Sequence, residues 1–309
     1  MFKYIFKRLL ALVPVLIGVT FFIFSLLALT PGDPANIVLG PDADEASIKI
    51  FRTELGLDDP FLVRYGRFVY RAVFHGDIGR SYATNRPVVS EIARVFPTTL
   101  RLASMAVFIA TIVGIPFGII TAVKQYSILD SVTMVLAMVG VSMPNFWIGI
   151  LLILFFSVHL GWLPSSGFDT LSAMILPSVT LASNTLAIIT RMTRSSMLEV
   201  IKSDYIRTAR AKGQRESVVI WKHVLGNALI PIITVVGIQF GNLLGGAILT
   251  ESVFSIPGVG RLMVEGIKSR DYPIVQGGVL YIAFMFAIIN LLVDLLYAWV
   301  DPRIRTRYK

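Results

Sequence analysis

Six long apolar stretches dominate this sequence and limit what the chain can fold into. A helix needs about 20 consecutive apolar residues to cross the hydrocarbon core of a bilayer, and six stretches approach or exceed that length. Only 15% of the 309 residues are charged, whereas soluble domains average about 25%. We therefore expect an all-α integral membrane protein with six transmembrane helices, at about residues 9–30, 99–123, 131–158, 173–190, 228–250 and 277–300.

The first apolar stretch could belong to a signal peptide, because the chain starts with the basic residues Lys3, Lys7 and Arg8. However, the apolar run from Leu9 to Leu29 is longer than the core of a signal peptide, which has about 7–15 residues. An uncleaved first transmembrane helix is therefore the favoured interpretation.

The distribution of Lys and Arg predicts the orientation, because cytoplasmic loops are enriched in these residues. The short loops on one side, 159–172 and 251–276, contain few of them. We therefore expect both termini and the 191–227 loop to be cytoplasmic, and the multi-pass protein to lie in the cytoplasmic (inner) membrane. The basic residues on the predicted cytoplasmic side are Lys3, Lys7, Arg8, Lys124, Arg191, Arg194, Lys202, Arg207, Arg210, Lys212, Arg215, Lys222, Arg303, Arg305, Arg307 and Lys309.

This topology divides the chain into four segments. They are the cytoplasmic N-terminus with transmembrane helix 1 (1–30), an extracytoplasmic segment (31–98), transmembrane helices 2–6 with the cytoplasmic loop 191–227 (99–300), and a cytoplasmic tail (301–309).

The extracytoplasmic segment contains patterns of its own. An amphipathic helix is expected at Glu45–Leu55, ended by Gly56. Tyr65–Phe74 predicts a second helix, lying on the membrane surface.

The sequence lacks the motifs of common enzyme classes. It contains no GxxxxGK[ST] phosphate-binding loop, no nucleophile elbow and no cysteine, and the three histidines, His75, His159 and His223, lack the spacing of metal ligands. We therefore predict no catalytic residues, no metal site and no cofactor bound by this chain. The net charge of +9 reflects the basic loops, so we expect a lipid bilayer as partner and no nucleic acid.

The membrane spans carry few ionisable groups, which ion-coupled transporters usually need. The clear candidate is Asp294 in the sixth span, and its distance from Asp301 places it near the cytoplasmic interface, within reach of Arg303 or Arg305. A structural ion pair is favoured there over a proton relay. The driving force for transport is therefore expected to come from another component.

Spans 3 and 5 contain the best candidates for a translocation path. Gly237, Gly241 and Gly245 recur every four residues, a spacing that lets helix backbones pack closely. Gln239 and Asn242 are three residues apart and share a face that could line a cavity. The alternative is that these residues all serve packing within one subunit.

Span 3 is expected to break at Pro144–Asn145. The break would expose backbone carbonyl groups to a water-filled route. The candidate path residues are Ser142, Asn145, Gln239 and Asn242. In span 2, Gly114 and Gly118 form a weaker copy of the glycine pattern.

A polar island, Asp204–Pro231, separates the fourth and fifth spans. It predicts two short helices that meet at Gly213, with Asp204 as the N-cap of the first helix and Gly213 in the left-handed conformation after it. The second helix is expected at Glu216–Leu225. A basic loop held on anionic lipid is one interpretation of this island, and a docking surface for a protein partner is the favoured one.

The island resembles the cytoplasmic loop E-A-A-x3-G-x9-I-x-L-P of membrane subunits of ATP-binding cassette (ABC) importers. Gly213 matches the central glycine and Ala209 the second alanine, whereas Arg207 and Thr208 replace the glutamate and first alanine. Leu225 is kept, and the proline is replaced by glycine. The variant DYIRTARAKG with KHVLGNALIP is similar to permeases of the dipeptide, oligopeptide and nickel branch.

Other motifs of that branch follow in order along nearly the whole chain. The PGDP start and the DPRIR end resemble the first, B-type permease of a pair. The motifs are PGDPA (31–35), HGDIGRSY (75–82), SMPNFWIGILLILFFSVHLGWLP (142–164), TRMTRSSMLEV (190–200), TESVFSIPGVGRL (250–262), RDYPIVQGGVL (270–280) and NLLVDLLYAWVDPRIR (290–305).

This resemblance implies a type I ABC importer permease fold and an ATP-driven importer. The implied partners are a second homologous permease, two ABC ATPase subunits that bind ATP and Mg²⁺, and an extracytoplasmic substrate-binding protein. Di- and oligopeptides are the expected substrates, with nickel, glutathione or oligosaccharides as alternatives, and an ion-coupled secondary transporter as the alternative of another class. The resemblance implies ATPase coupling through Asp204, Tyr205, Arg207, Thr208, Ala209, Arg210, Lys212 and Gly213.

Overall fold

The computed structural model describes residues 2–30, 33–40 and 43–300, and almost all of this part of the chain is helical. The elements are α1 (Phe2–Leu29), α2 (Pro34–Leu39), α3 (Glu45–Leu55), α4 (Phe61–His75), α5 (Val88–Val123), α6 (Ile128–Ser142), α7 (Asn145–Leu152, continued by a π-helix at Ile153–His159), α8 (Leu171–Ile201), α9 (Asp204–Ala211), α10 (Glu216–Val218, continued by a π-helix at Val219–Val224), α11 (Leu225–Val253), α12 (Val259–Lys268) and α13 (Tyr272–Val300).

The number of spans agrees with the sequence. Within the described residues, five helices are long and apolar enough to cross a membrane, and there are six such spans if α6 and α7 with its π-helical continuation, which meet at a bend of 104°, count as one. The predicted all-α fold with six transmembrane segments is thereby confirmed, including the break between Ser142 and Asn145.

Several helices extend beyond the apolar stretches that predicted them. Helix α5, which contains the predicted second span, begins at Val88, so residues 88–98 are already helical. The fourth span continues to Ile201, through residues predicted as loop. These polar ends stay helical because tertiary packing buries them, as it does Thr193 and Ser196.

The structure also describes the two helices predicted before the second span. Helix α3 has the predicted bounds and ends at Gly56, whose φ of 63° is left-handed. Helix α4 is longer than predicted, starting at Phe61. The side chain of Asp294 and residues 301–309 lie outside the part of the chain that the structure describes, and so does the ion pair predicted between them.

Helix α4 packs against α1 through aromatic rings. Phe24 meets Phe61 and Tyr65 at centroid distances of 5.4 and 5.5 Å, and the Tyr65 hydroxyl donates to the Ile17 carbonyl at 2.9 Å. The contact fixes α4 beside the C-terminal half of α1, and Val73 and Phe74 of α4 remain exposed.

Helix α8 forms the centre of the bundle and contacts α5 most closely. A Cβ added at Gly118 of α5 would lie 2.5 Å from Thr193 Cβ and 2.7 Å from the Thr190 carbonyl oxygen of α8. At Gly114 the nearest atoms of α8 would be 3.1–3.3 Å away. Gly118 therefore permits a backbone approach that a side chain would prevent, and Gly114 makes the contact tighter than an alanine would comfortably allow.

We predict that Gly118→Ala destabilises the protein, because an added methyl group forces α5 and α8 apart. Overpacking of this kind costs about 1–3 kcal/mol, so the apparent melting temperature of the purified protein should fall. Gly140→Ala in α6 is the matched control, since its Cβ would meet Ala187 of α8 at an ordinary distance of 3.6 Å. Equal melting temperatures for the two variants would contradict this account of the α5–α8 contact.

Candidate functional site

The loop helix α9 follows α8 at one end of the bundle. It begins at Asp204, and its N-cap is Ser203, whose backbone is extended; the prediction of Asp204 as N-cap was therefore wrong by one residue. Asp204 lies in the first helical turn, where its negative charge interacts favourably with the helix dipole. Gly213 has φ +75°, the left-handed conformation predicted for it.

One face of α9 is anchored in the bundle. Ile206 is fully buried and belongs to an apolar cluster with Met197, Val219 and Val224, and Ala209 packs against this cluster. Burial of a side chain of this size stabilises by about 1.5–3 kcal/mol. The anchored face leaves a second face open to a partner, formed by Asp204, Tyr205, Arg207, Thr208 and Lys212, all exposed.

Two polar contacts brace the turn after α9. The Arg210 guanidinium donates to both carboxylate oxygens of Glu216, with Nε at 3.1 Å and Nη2 at 2.7 Å. His223 Nε2 lies 2.7 Å from Gln214 Oε1. Exposed pairs of this kind contribute only about 0.2–1 kcal/mol, so they orient the turn, whereas Ile206 provides most of the anchoring.

The broken third span places polar groups at the level where α6 ends. Ser142 is exposed, and its hydroxyl donates to the Met138 carbonyl at 2.9 Å. Asn145 starts α7, and its Oδ1 atom is buried without a hydrogen-bond partner among the described residues. Asn184 Nδ2 donates to the Val141 carbonyl at 3.3 Å, so α8 satisfies one of the backbone groups that the break releases.

On α11, Gln239 and Asn242 form a pair: Asn242 Nδ2 donates to Gln239 Oε1 at 3.0 Å. Gln239 is buried, whereas Asn242 is exposed to a cavity of about 640 Å³ between α1, α11, α12 and α13. The walls of this cavity are mainly apolar and include neither Ser142 nor Asn145. The four candidate path residues therefore form two separate pairs within this chain.

The three glycines of α11 face α13. An added Cβ at Gly237 would overlap Val293, and one at Gly241 would lie 2.9 Å from the Phe286 ring. Gly245 has more room, with Ile282 at 3.7 Å. Gly241 and Gly245 also line the cavity beside Asn242.

Sequence reasoning missed an ion pair near the α9 end of the bundle. Arg194 of α8 donates through Nε (2.6 Å) and Nη2 (2.8 Å) to the carboxylate of Asp130, the first acidic residue of α6. The side chains are 5% (Asp130) and 22% (Arg194) exposed. The position of Asp130 in the first turn after the Ser127 cap could have indicated a structural role for this acid. Its partner was missed because Arg194 was assigned to the basic loop 191–227.

A second missed residue is Glu251 at the other end of α11, which is fully buried. Within the described part of the chain, no cluster of three or more His, Cys, Asp or Glu side chains could hold a metal ion.

Comparison with known proteins identifies the family. Residues 114–306 match the model of the binding-protein-dependent transport system inner membrane component, and residues 1–103 match that of the N-terminal region of such membrane components. The chain belongs to this family of transport proteins. It is a permease subunit of the ABC importer type and not an enzyme.

Relatives extend over the whole permease. It is 46% identical to the dipeptide transport system permease protein DppB of Alkalihalophilus pseudofirmus, with 99% of this chain and 100% of the relative covered. It is 47% identical to the glutathione transport system permease protein GsiC of Pectobacterium atrosepticum, with 99% of each covered. The resemblance to the dipeptide and oligopeptide branch is thereby confirmed.

Solved structures support the fold. An inward-facing structure of the MetNI methionine ABC transporter matches with a TM-score of 0.59 at 19% identity, covering 69% of the permease and 97% of that chain. A crystal structure of an amino acid ABC transporter with histidines matches with a TM-score of 0.52 at 18% identity, covering 70% and 94%. The predicted type I importer permease fold is confirmed at this level.

We predict a strong energetic coupling between Asp130 and Arg194. Removing one partner leaves the other charge without its bidentate partner in a largely buried position, which costs about 1–3 kcal/mol, so Asp130→Asn and Arg194→Gln should each lower the melting temperature. The double variant should lose much less than the sum of the two, as measured by a double-mutant cycle. The control pair is Arg261 and Glu265, which are exposed, and additive losses at Asp130 and Arg194 would refute the coupling.

Proposed function

We propose that this permease is the B-type membrane subunit of an ATP-driven importer of small peptides. The observation that carries the proposal is the full-length similarity to permeases named for dipeptide and for glutathione transport. Glutathione is itself a tripeptide, so both names indicate short peptides. The absence of a metal-binding cluster among the described residues gives no support to a bare nickel substrate.

The proposed complex contains a second permease, two ATPase subunits that bind ATP and Mg²⁺, and an extracytoplasmic binding protein. The α9 end of the bundle, with both termini, is assigned to the cytoplasm. This assignment is supported by the exposed basic residues Arg207, Arg210, Lys212, Arg215 and Lys222 near α9, because cytoplasmic loops are enriched in Lys and Arg.

The exposed face of α9, from Asp204 to Gly213, is proposed to dock on an ATPase subunit. Rigid anchoring supports a mechanical role, because Ile206 connects this helix to the ends of α5, α8 and α11 through one apolar cluster. A displacement of α9 by the ATPase would thus move several spans at once.

The translocation path is proposed to include Ser142, Asn145, Gln239 and Asn242. The exposed side chain of Asn242 is a polar group that a peptide backbone could hydrogen-bond. The buried Asn145 Oδ1 atom, which has no partner among the described residues, would become a second one if the broken third span moved. Gly237, Gly241 and Gly245 are assigned to helix packing against α13.

Reconstitution tests the proposal directly. Proteoliposomes containing both permeases and both ATPases should take up a labelled dipeptide only with ATP and the binding protein, and removing the ATPases should abolish uptake. Uptake by this chain alone, driven by an ion gradient, would establish the secondary-transporter alternative and overturn the proposal.

We predict that Gly213→Ala reduces ATP-driven uptake several-fold without reducing the amount of permease in the membrane. An L-residue in the left-handed conformation costs about 1–2 kcal/mol, and the turn would relax by shifting α9. Gly226→Ala is the matched control, because neither glycine has a neighbour within 4 Å of an added Cβ and Gly226 lies in helical backbone.

Gly213→Asn should retain more uptake than Gly213→Ala, since asparagine tolerates the left-handed conformation better than alanine does. Equal uptake by the two alanine variants at positions 213 and 226 would show that the backbone conformation at Gly213 does not matter for coupling.

A further inference from the structure

The buried carboxyl group of Glu251 joins three elements at the end of the bundle opposite α9. Glu251 lies near the C-terminus of α11 and is 0% exposed. Thr99 Oγ1 of α5 donates to its Oε1 atom at 2.6 Å, and the Arg261 backbone N–H of α12 donates to its Oε2 atom at 3.1 Å. The Thr99 hydroxyl in turn accepts from the Val259 N–H at 2.9 Å.

Two glycines give this carboxyl group its access to the first turn of α12. An added Cβ at Gly258 would overlap the Glu251 carboxyl group, and one at Gly260 would lie 2.5 Å from Ile248 Cα. The first turn of α12 therefore lies directly on α11, with no side chain between them. This contact accounts for both glycines of the IPGVG sequence.

Helix α12 contributes one wall residue to the cavity between α1, α11, α12 and α13. Met263 of α12 lines that cavity together with Ile248 and Val279, which belong to the ends of α11 and α13 nearest to α12. Val259 is fully buried and Met263 nearly so, and moving α12 away would break the hydrogen bonds from its backbone to Thr99 and Glu251.

The chain segment just after Glu251 also packs against the broken third span. Phe254, three residues after Glu251, is buried, and its ring lies 3.0 Å from the position of a Cβ added at Gly149 in α7. The Phe254 carbonyl accepts from the Gly167 N–H at 2.9 Å. The segment that Glu251 fixes is thus packed against the elements proposed to line the path.

We propose that Glu251 is a positioning residue for transport. Its carboxyl group holds the first turn of α12 against α5 and α11, which is its seating role. Held in this position, α12 seals the extracytoplasmic end of the permease between transport events, which is its sealing role. The sealing role rests on the transport function proposed above. The seating of α12 by Glu251 does not, so the two can be tested separately.

The seating is tested with thiol reporters, which this chain allows because it contains no cysteine. Val259→Cys places a thiol in the buried first turn of α12, and Ile206→Cys places one in the buried core beside α9. Each reporter is combined with Glu251→Gln in the assembled complex in proteoliposomes, and the rate of labelling by a membrane-impermeant maleimide is measured. For the reporter at residue 206, labelling is also measured after the proteoliposomes have been permeabilised.

Glu251→Gln keeps the side-chain size but leaves only one acceptor oxygen for the two donors that the carboxylate serves, the Thr99 hydroxyl and the Arg261 N–H. We expect the labelling rate at residue 259 to rise about tenfold or more, the effect of leaving a buried hydrogen-bonding group unpaired. The reporter at residue 206 should remain protected. The control Glu265→Gln removes an exposed carboxylate of α12 itself, which bonds Arg261 Nε, and should leave both rates unchanged.

The sealing role is tested by efflux. Proteoliposomes loaded with labelled dipeptide should lose it several-fold faster without ATP when they carry Glu251→Gln than when they carry Glu265→Gln. Protection at residue 259 in the Glu251→Gln variant, or equal exposure at residues 206 and 259, would overturn the seating role. Release of α12 without faster efflux would overturn the sealing role. Failure of the unmodified complex to transport peptide would reject the proposed function and leave the seating result standing.

Discussion

The close contact between α5 and α8 supports the rest of the structure. Gly114 and Gly118 remove the side chains that would separate the two backbones, and in a bilayer, where lipid is as apolar as leucine, such close packing is what drives helix association. Helix α8 then presents its other faces to α6, α7 and α11. Asp130 of α6 binds Arg194, and Asn184 binds the carbonyl of Val141 at the break in the third span.

The two ends of the permease that are proposed to be functional both contact this central pair. Helix α8 leads into α9, whose Ile206 is buried between the ends of α5, α8 and α11. At the opposite end, Thr99 of α5 meets Glu251 and the first turn of α12. A displacement at α9 is therefore applied to helices that also form the opposite end, which is the physical requirement for a coupled movement.

Much of the fold could be predicted because the bilayer makes local sequence decisive. Backbone polar groups in hydrocarbon must be satisfied within the segment, so a long apolar run becomes a helix. The break at Pro144 was predictable for the same local reason, since proline has no N–H to donate. The helix ends could not be predicted in this way. Helix α5 begins at Val88 and helix α8 ends at Ile201, and their polar terminal turns are stabilised by packing against other helices.

The site divides in the same way. Gly213 was identified from its spacing, and its φ of +75° is a local property that the sequence alone suggests. Ile206 was missed because its role depends on a pocket formed by residues from three other helices. Asn242 lies beside a cavity whose walls do not include Asn145, a separation that residue type and helical periodicity could not reveal.

The sequence by itself determined the membrane class, the six spans, the break and the family motifs, because each depends on residues close together in the chain. Only the tertiary structure decided which polar groups pair inside the bundle. Asp130 and Arg194 are 64 positions apart, and Thr99 and Glu251 are 152 apart. The six spans could pack in many arrangements that pair different residues, and the close packing of α5 on α8 selects one of these arrangements.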